Sequence, residues 1–294
     1  MGLEVTLWTH DRARSPSGLA ETRRAMTLRR AEPARGVLKT AVVEPRGLRH
    51  ERFLPSRDLE PWVEHFWVVE WDFSGGPPQR VETLPHPSVH MIFQGGMSRI
   101  SGIARAKFTR MLEGKGGVFA VKFRPGGFYP FAGFPISRLS DKTVELAEIF
   151  GVDGERLDRA VLAQGTDDGR IAAIETFLRS RRPPPDDNVT RLSEMVYAVA
   201  RERGILKVED LVQRYGINKR TLQRLFAKYV GVSPKWVIQR YRLHEAAEQL
   251  KTGGAVSQAA LALSLGYTDQ AHFVRDFKAT VGTSPAAYAR TLGA

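Results

Sequence analysis

The stretch LQRLFAKYVGVSP, from Leu222 to Pro234, returns about fifty residues later as FVRDFKATVGTSP, from Phe273 to Pro285. Arg224 matches Arg275, Phe226 matches Phe277, Val230 matches Val281, and both copies close on Gly-x-Ser-Pro. An internal repeat of this length constrains the fold before any composition does, because each copy has to be the same supersecondary unit. Each copy reads as a short helix, a tight turn holding glycine, and a longer cationic helix. The second helix of such a unit can lie in a DNA major groove.

The repeated positions divide by face. Leu222, Leu225, Phe226 and Tyr229 in the first copy, and Phe273, Phe277 and Val281 in the second, make a consistent apolar side. Opposite them lie Lys219, Arg220, Gln223, Arg224 and Lys228 in the first copy. The second presents Gln270, Ala271, His272, Arg275 and Lys278. Arginine and glutamine have the fork geometries that suit guanine and adenine edges. The helix between the copies runs for roughly 18 residues, hence about 27 Å. With the ends of the units added, two reading helices fall about 34 Å apart, one turn of duplex.

Charge agrees with this division. Residues 189–294 carry 16 basic and 8 acidic side chains, residues 61–188 carry 16 of each, and residues 1–60 carry 12 and 8. A polyanion partner is therefore expected for the C-terminal third alone, with nucleic acid the first candidate, and the helix-turn-helix reading makes it double-stranded DNA. The 294 residues contain no cysteine, which removes disulfides, thiolate metal sites and cysteine nucleophiles together. No apolar run reaches the roughly 18 residues of a membrane span, so no membrane partner is expected. No signal segment is read at the N-terminus, and the cytoplasm is the expected compartment.

The chain divides at RRPPPDDN, where three prolines stop a helix and stiffen the link. We expect a disordered basic tail over 1–40, a β-rich domain with trailing helices over 41–182, a proline-rich linker over 183–188 and a helical domain over 189–294. In the second region HFWVVEWDF, SVHMIF and GGVFAVKFRPGGFYPF read as strands. Leu59, Val63, Phe66 and Trp67 have a helical spacing that suggests a short helix before them. Asp141 and Gly151 bracket a further helix as cap and stop. In the last region Asn218 and Ser233 are expected N-caps, with Pro234 at the first helical position.

Residues 190–292 resemble the DNA-binding domain of the AraC/XylS family of bacterial transcription regulators. The resemblance is carried by Gly266-Tyr267, Asp269-Gln270, Phe273-x-Arg275-x-Phe277-Lys278 and Gly282-x-Ser284-Pro285-x-x-Tyr288. Leu222-x-Arg224-x-Phe226, Gly231-x-Ser233-Pro234, and Arg242 and Ala246 of the connecting helix carry it in the first copy. The resemblance implies base contacts from Arg220, Gln223 and Arg224, then from Ala271, His272 and Arg275, with the first set richer in polar readers. Val212 stands where the family has a small residue. The front segments EPWVEHFWVVEW, LPHPSVHMIF and VFAVKFRPGGFYPFAG are similar to the β-rich domain that precedes this unit in one subset, although Pro85-His86-Pro87 departs from its Pro-Asp-Gly.

The expected fold is therefore α+β: a β-rich, barrel- or cupin-like front domain with trailing helices, then a seven-helix domain with two helix-turn-helix units. The expected function is sequence-specific DNA-binding regulation by a non-enzyme without cofactor. The front domain would sense a small-molecule effector or mediate self-association as a homodimer. A non-regulatory DNA-binding module stays open beside this. So does a cupin-like metal enzyme tethered to DNA, for which Glu82, His86 and His90 are the only weak candidate ligands.

Overall fold

The computed structural model describes residues 28–32, 36–38, 47–252 and 257–292. Among the described residues the front domain has nine strands: β1 (Val37–Leu38), β2 (Leu48–Phe53), β3 (Val63–Phe73), β4 (Gln79–Thr83), β5 (His90–Phe93), β6 (Arg99–Ser101), β7 (Phe108–Leu112), β8 (Gly114–Phe123) and β9 (Thr143–Glu145). Four helices are interleaved or trail: α1 (Tyr129–Ala132), α2 (Leu146–Phe150), α3 (Val152–Leu162) and α4 (Asp167–Ser180). The helical domain adds α5 (Asp187–Arg201), α6 (Val208–Tyr215), α7 (Lys219–Leu225), α8 (Pro234–Lys251), α9 (Gln258–Ser264), α10 (Gln270–Val281) and α11 (Pro285–Leu292).

The strands form two sheets, one of order β2-β3-β8-β5-β6-β9 and a smaller one of order β1-β4-β7. All strand pairings among the described residues are antiparallel, and neither sheet closes on itself there. The long β3–β8 pair is the backbone of the larger sheet. It carries a register shift between Val63 and His65 that inserts Glu64 as a bulge. The bulge sets the Glu64 carboxylate to accept from Lys122 Nζ at 2.8 Å and from the Tyr197 hydroxyl of α5 at 2.9 Å.

Three expectations are corrected. The residues from Leu59 to Trp67 do not form a helix: one 3-10 turn covers Arg57–Leu59, and Val63 and Phe66 are buried strand residues of β3. The bulge at Glu64 breaks strict alternation, which is why two-residue periodicity was masked there. Asp141 is not a helix cap. It sits at φ 57°, its carboxylate accepts from the Arg105 amide at 2.7 Å, and the chain runs on into β9 before Glu145 caps α2. The tail expected to be disordered to residue 40 is ordered in part. Arg30 bridges Phe53, β1 pairs with β4, and Leu38 is 2% exposed. Residues 1–27, 33–35 and 39–40 of that expectation lie outside the described residues.

The cores do not follow the linker. One continuous apolar cluster runs from Phe66, Phe123 and Ile136 of the front domain through Leu192 of α5 to Leu222, Phe226 and Val237 of the first repeat. The second repeat has its own core of Leu243, Leu261, Phe273, Phe277 and Tyr288, to which the front domain contributes Leu38 and Leu84. The first repeat is buried with the β-rich domain. The linker is docked as well: Asp186 caps α5 through the Asn188 amide and accepts from the Tyr229 hydroxyl at 2.6 Å. Among the described residues no helix is long and apolar enough to cross a membrane.

Candidate nucleic-acid interface

Each repeat assembles from local signals. In the first, α6 ends on Gly216 in the left-handed region at φ 57°. Asn218 then caps α7, its side chain accepting from the Arg220 amide at 2.8 Å. In the second, Asp269 caps α10 by accepting from the His272 amide at 2.7 Å. Leu222, Phe226, Phe273 and Phe277 are fully buried, so the apolar face of both reading helices is spent on packing. Ser233 caps α8 with Pro234 at its first position, as expected.

The two reading helices differ in one respect that the sequence concealed. α10 is regular to Val281, whereas α7 is regular only to Leu225 and continues as a π-helical turn over Phe226–Val230. A π turn widens the helix and shifts the phase of the residues beyond it. Tyr229 thereby reaches Asp186, and its ring lies 4.2 Å from that of Tyr129 in the front domain. The Lys228 ammonium is drawn the same way, resting 4.9 Å from the Tyr129 ring centroid and 5.3 Å from that of Tyr229.

All ten candidate residues fall on exposed or half-exposed positions, and they sort by engagement. Arg220, Gln223, Arg224, Arg275 and Lys278 have side chains with no hydrogen-bond or ion-pair partner among the described residues. Lys219 is held by Glu209 at 2.6 Å. Gln270 touches Gln258 at 3.5 Å. His272 stands edge-on to Tyr267 with centroids 5.2 Å apart, its Nε2 lying 3.5 Å from Asp276. Ala271 offers a methyl group on an exposed surface. Lys228 is the member drawn to the front domain. Val274, the counterpart of Gln223, packs on the second core. Val212 packs against the first core, and Arg242 lies 5.7 Å from the Tyr267 ring.

The front-domain candidates separate. Glu82 is held between Lys107 at 2.7 Å and Arg80 at 2.6 Å. Burial would raise its carboxyl, but these two cations keep it below the usual range. His90 accepts from Trp67 Nε1 at 3.2 Å, and burial, reinforced by the Lys122 charge, pushes it down to about 3. His86 lies against His244 of α8, with ring centroids 4.6 Å apart. The three share no site, and no group of three or more metal-ligating side chains occurs among the described residues.

What the sequence did not reveal is that the front domain reaches the ends of both reading helices. Ser140 Oγ donates to the Gly231 carbonyl at 2.6 Å, and Lys107 Nζ donates to the Val281 carbonyl at 2.7 Å. Serine and lysine in irregular segments carry no local signal of such a role.

Comparison with known proteins is consistent with this geometry. A helix-turn-helix domain model matches residues 211–291, and a domain of unknown function, DUF6597, matches residues 51–145. The HTH-type transcriptional activator AarP of Providencia stuartii is 37% identical over 83 residues, covering 28% of this chain and 61% of that protein. The probable transcription factor PqrA of Proteus vulgaris is 34% identical over 88 residues, covering 30% of this chain and 70% of that one. The chain thus spans under two thirds of AarP, and it spans 28% of an uncharacterized HTH-type transcriptional regulator of Haemophilus influenzae that is 32% identical. Among solved structures, ToxT from Vibrio cholerae O395 aligns over 84% of this chain and 99% of its own, at 11% identity and a TM-score of 0.34.

Proposed function

The chain belongs to the AraC family of helix-turn-helix transcription regulators, not to a family of enzymes, and from that premise we propose that it reads one specific DNA sequence with α7 and α10 in two successive major grooves. The observation that carries this reading is the contrast on each reading helix. The apolar face is consumed by the cores, while Arg220, Gln223 and Arg224 on one helix, and Arg275 and Lys278 on the other, are exposed or half-exposed without partners among the described residues. Side chains with no structural employment, of the types that fork onto guanine and adenine, support base readout. A surface that bound phosphates alone would need only lysines.

In this reading Arg220, Gln223 and Arg224 contact base edges of one half-site. Gln270, Ala271, His272 and Arg275 serve the other with fewer polar groups. Lys219 and Lys278 meet phosphates, and residues 189–294 are the DNA-binding domain. The β-rich domain regulates that reading, through an effector or through self-association; its contacts with both repeats support a regulatory rather than a passive role.

The test is a selection from a random duplex library with the full chain, followed by mobility shifts on the selected site. Arg224→Ala should weaken binding by about 1–3 kcal/mol and relax preference at one base pair. Equal loss on selected and random DNA would overturn base reading by Arg224.

A further inference from the structure

The two repeats share no core, so their mutual placement needs an explanation beyond the packing of each. The helix α8 joins them along the chain. A second connection runs through the front domain, in two segments that are tied to each other. One is the β6–β7 connection, residues 102–107; the other is residues 139–142, just before β9. The Gly102 amide donates to the Lys142 carbonyl at 3.0 Å, and the Asp141 amide donates to the Ile103 carbonyl at 3.0 Å. The Asp141 carboxylate accepts from the Arg105 amide at 2.7 Å. The pair of segments is therefore one small braced unit.

That unit touches the DNA-binding domain at three places. Ser140 holds the carbonyl of Gly231, where the first reading helix ends. Lys107 holds the carbonyl of Val281, the last residue of the second. Between them, Arg240 of α8 donates through Nη2 to the Arg105 carbonyl at 2.6 Å. Both helix ends are the natural point of attachment, since the last carbonyls of a helix lack internal partners and carry its negative pole. Lys107 is itself fixed, its side chain 15% exposed and paired with Glu82 of β4. The reading faces stay uncovered, so these contacts set position without blocking DNA.

We infer that Ser140 and Lys107 are positioning residues for DNA reading: with Arg105 they fix the separation and angle of α7 and α10, so that the half-site spacing accepted by this chain is set by its front domain. This inference rests on the two-groove reading for its consequence, but its structural core can be measured without DNA. Any change that moved the braced unit would alter both helices at once.

The absence of cysteine makes the measurement clean. Ala227→Cys and Ala279→Cys, at exposed positions near the two helix ends, take a pair of nitroxide labels in the full chain. Pulsed dipolar spectroscopy should give one narrow distance distribution in this parent. Adding Lys107→Met with Ser140→Ala should at least double its width, and Ser140→Thr, which keeps the hydroxyl, should leave it narrow. Ser140→Ala alone, which removes a single oxygen and leaves every apolar contact, should already broaden it, so poor folding of the double variant does not decide the matter. An unchanged width in the Ser140→Ala chain, whatever its melting temperature, overturns the inference. On DNA, the parent should select half-sites at one spacing and the double variant at two or more. Failure of the parent to select any sequence would overturn the two-groove reading while leaving the measured distances to stand.

Discussion

Gln223 and Val274 occupy the same position of the two repeats and end in different environments. Gln223 is exposed, whereas Val274 packs on the second core. The exposed polar side chains are accordingly weighted toward the first unit. The lysines, which stand one position apart in the two copies, also end in different environments. Lys278 is exposed with no partner among the described residues, while Lys228 rests over two tyrosine rings at the domain seam. The sequence offers both as candidate DNA contacts, and in the structure Lys228 also packs on the Tyr129 and Tyr229 rings. We expect Lys278→Ala to flatten the dependence of log affinity on log salt by about one unit of slope. Lys228→Ala should leave that slope unchanged and lower the unfolding free energy by about 0.5–1 kcal/mol, the range of an exposed cation–π contact. Fluorescence anisotropy across a salt series and urea denaturation check the two arms.

At the scale of elements, both reading helices stop on a glycine in the left-handed region, Gly231 at φ 94° and Gly282 at φ 90°. Their surroundings differ. A Cβ at Gly231 would meet Ile103 at 2.8 Å, Ile136 at 2.9 Å and the Ile136 carbonyl oxygen at 3.1 Å. At Gly282 the nearest atom is the Lys107 ammonium nitrogen at the tip of its side chain, also at 3.1 Å, and no backbone or core atom comes within 4 Å. Alanine at either position incurs the left-handed strain of about 1–2 kcal/mol, and at Gly231 it also collides with packed core. Thermal denaturation should therefore rank Gly231→Ala well below Gly282→Ala, and equal melting temperatures would contradict the packing described. The caps at Asn218 and Ser233 were legible because a cap is a local event between neighbours. The π turn over 226–230 was not legible, since the contacts that accompany it, Tyr229 with Asp186 and Tyr129, join residues distant in the chain.

Among the described residues His65 and His244 are buried and His90 is half-buried, and all three are held away from protons. Burial first, and the neighbouring Lys122 and Arg52 charges after it, push His65 down to about 4 despite the opposing pull of Glu64. His90 is pushed down to about 3. His244 of α8 donates to the Pro85 carbonyl at 3.1 Å, across the seam between domains. Burial lowers it to about 4, with Arg240, Lys122 and Lys251 as its charged neighbours. Each of these groups binds its proton more readily in the unfolded chain, near the ordinary value of 6.5. Their contribution to stability is therefore complete above pH 6.5 and lost as pH falls toward 4. Each proton weakens the fold by up to about 1.4 kcal/mol per pH unit over that window. Because one core spans the front domain and the first repeat, the urea midpoint should fall through a shared transition. His244→Gln should reduce the pH dependence, and a flat profile from pH 6.5 to 4.5 would contradict the burial of these rings.

The sequence by itself determined the repeat, the helices of the C-terminal domain with their caps, and the face of each repeat's second helix that stays exposed. All of these are written at separations of three or four residues, or in the match between two copies, and the apolar spacing specifies which side is buried. Only the tertiary structure decided that the first repeat joins the core of the β-rich domain, that Lys228 turns to Tyr129, and that one braced unit grips both helix ends. The Ser140–Gly231 and Lys107–Val281 contacts join residues 91 and 174 positions apart. A contact of that span depends on how the sheet, the helices and the linker pack together, and no local periodicity encodes it.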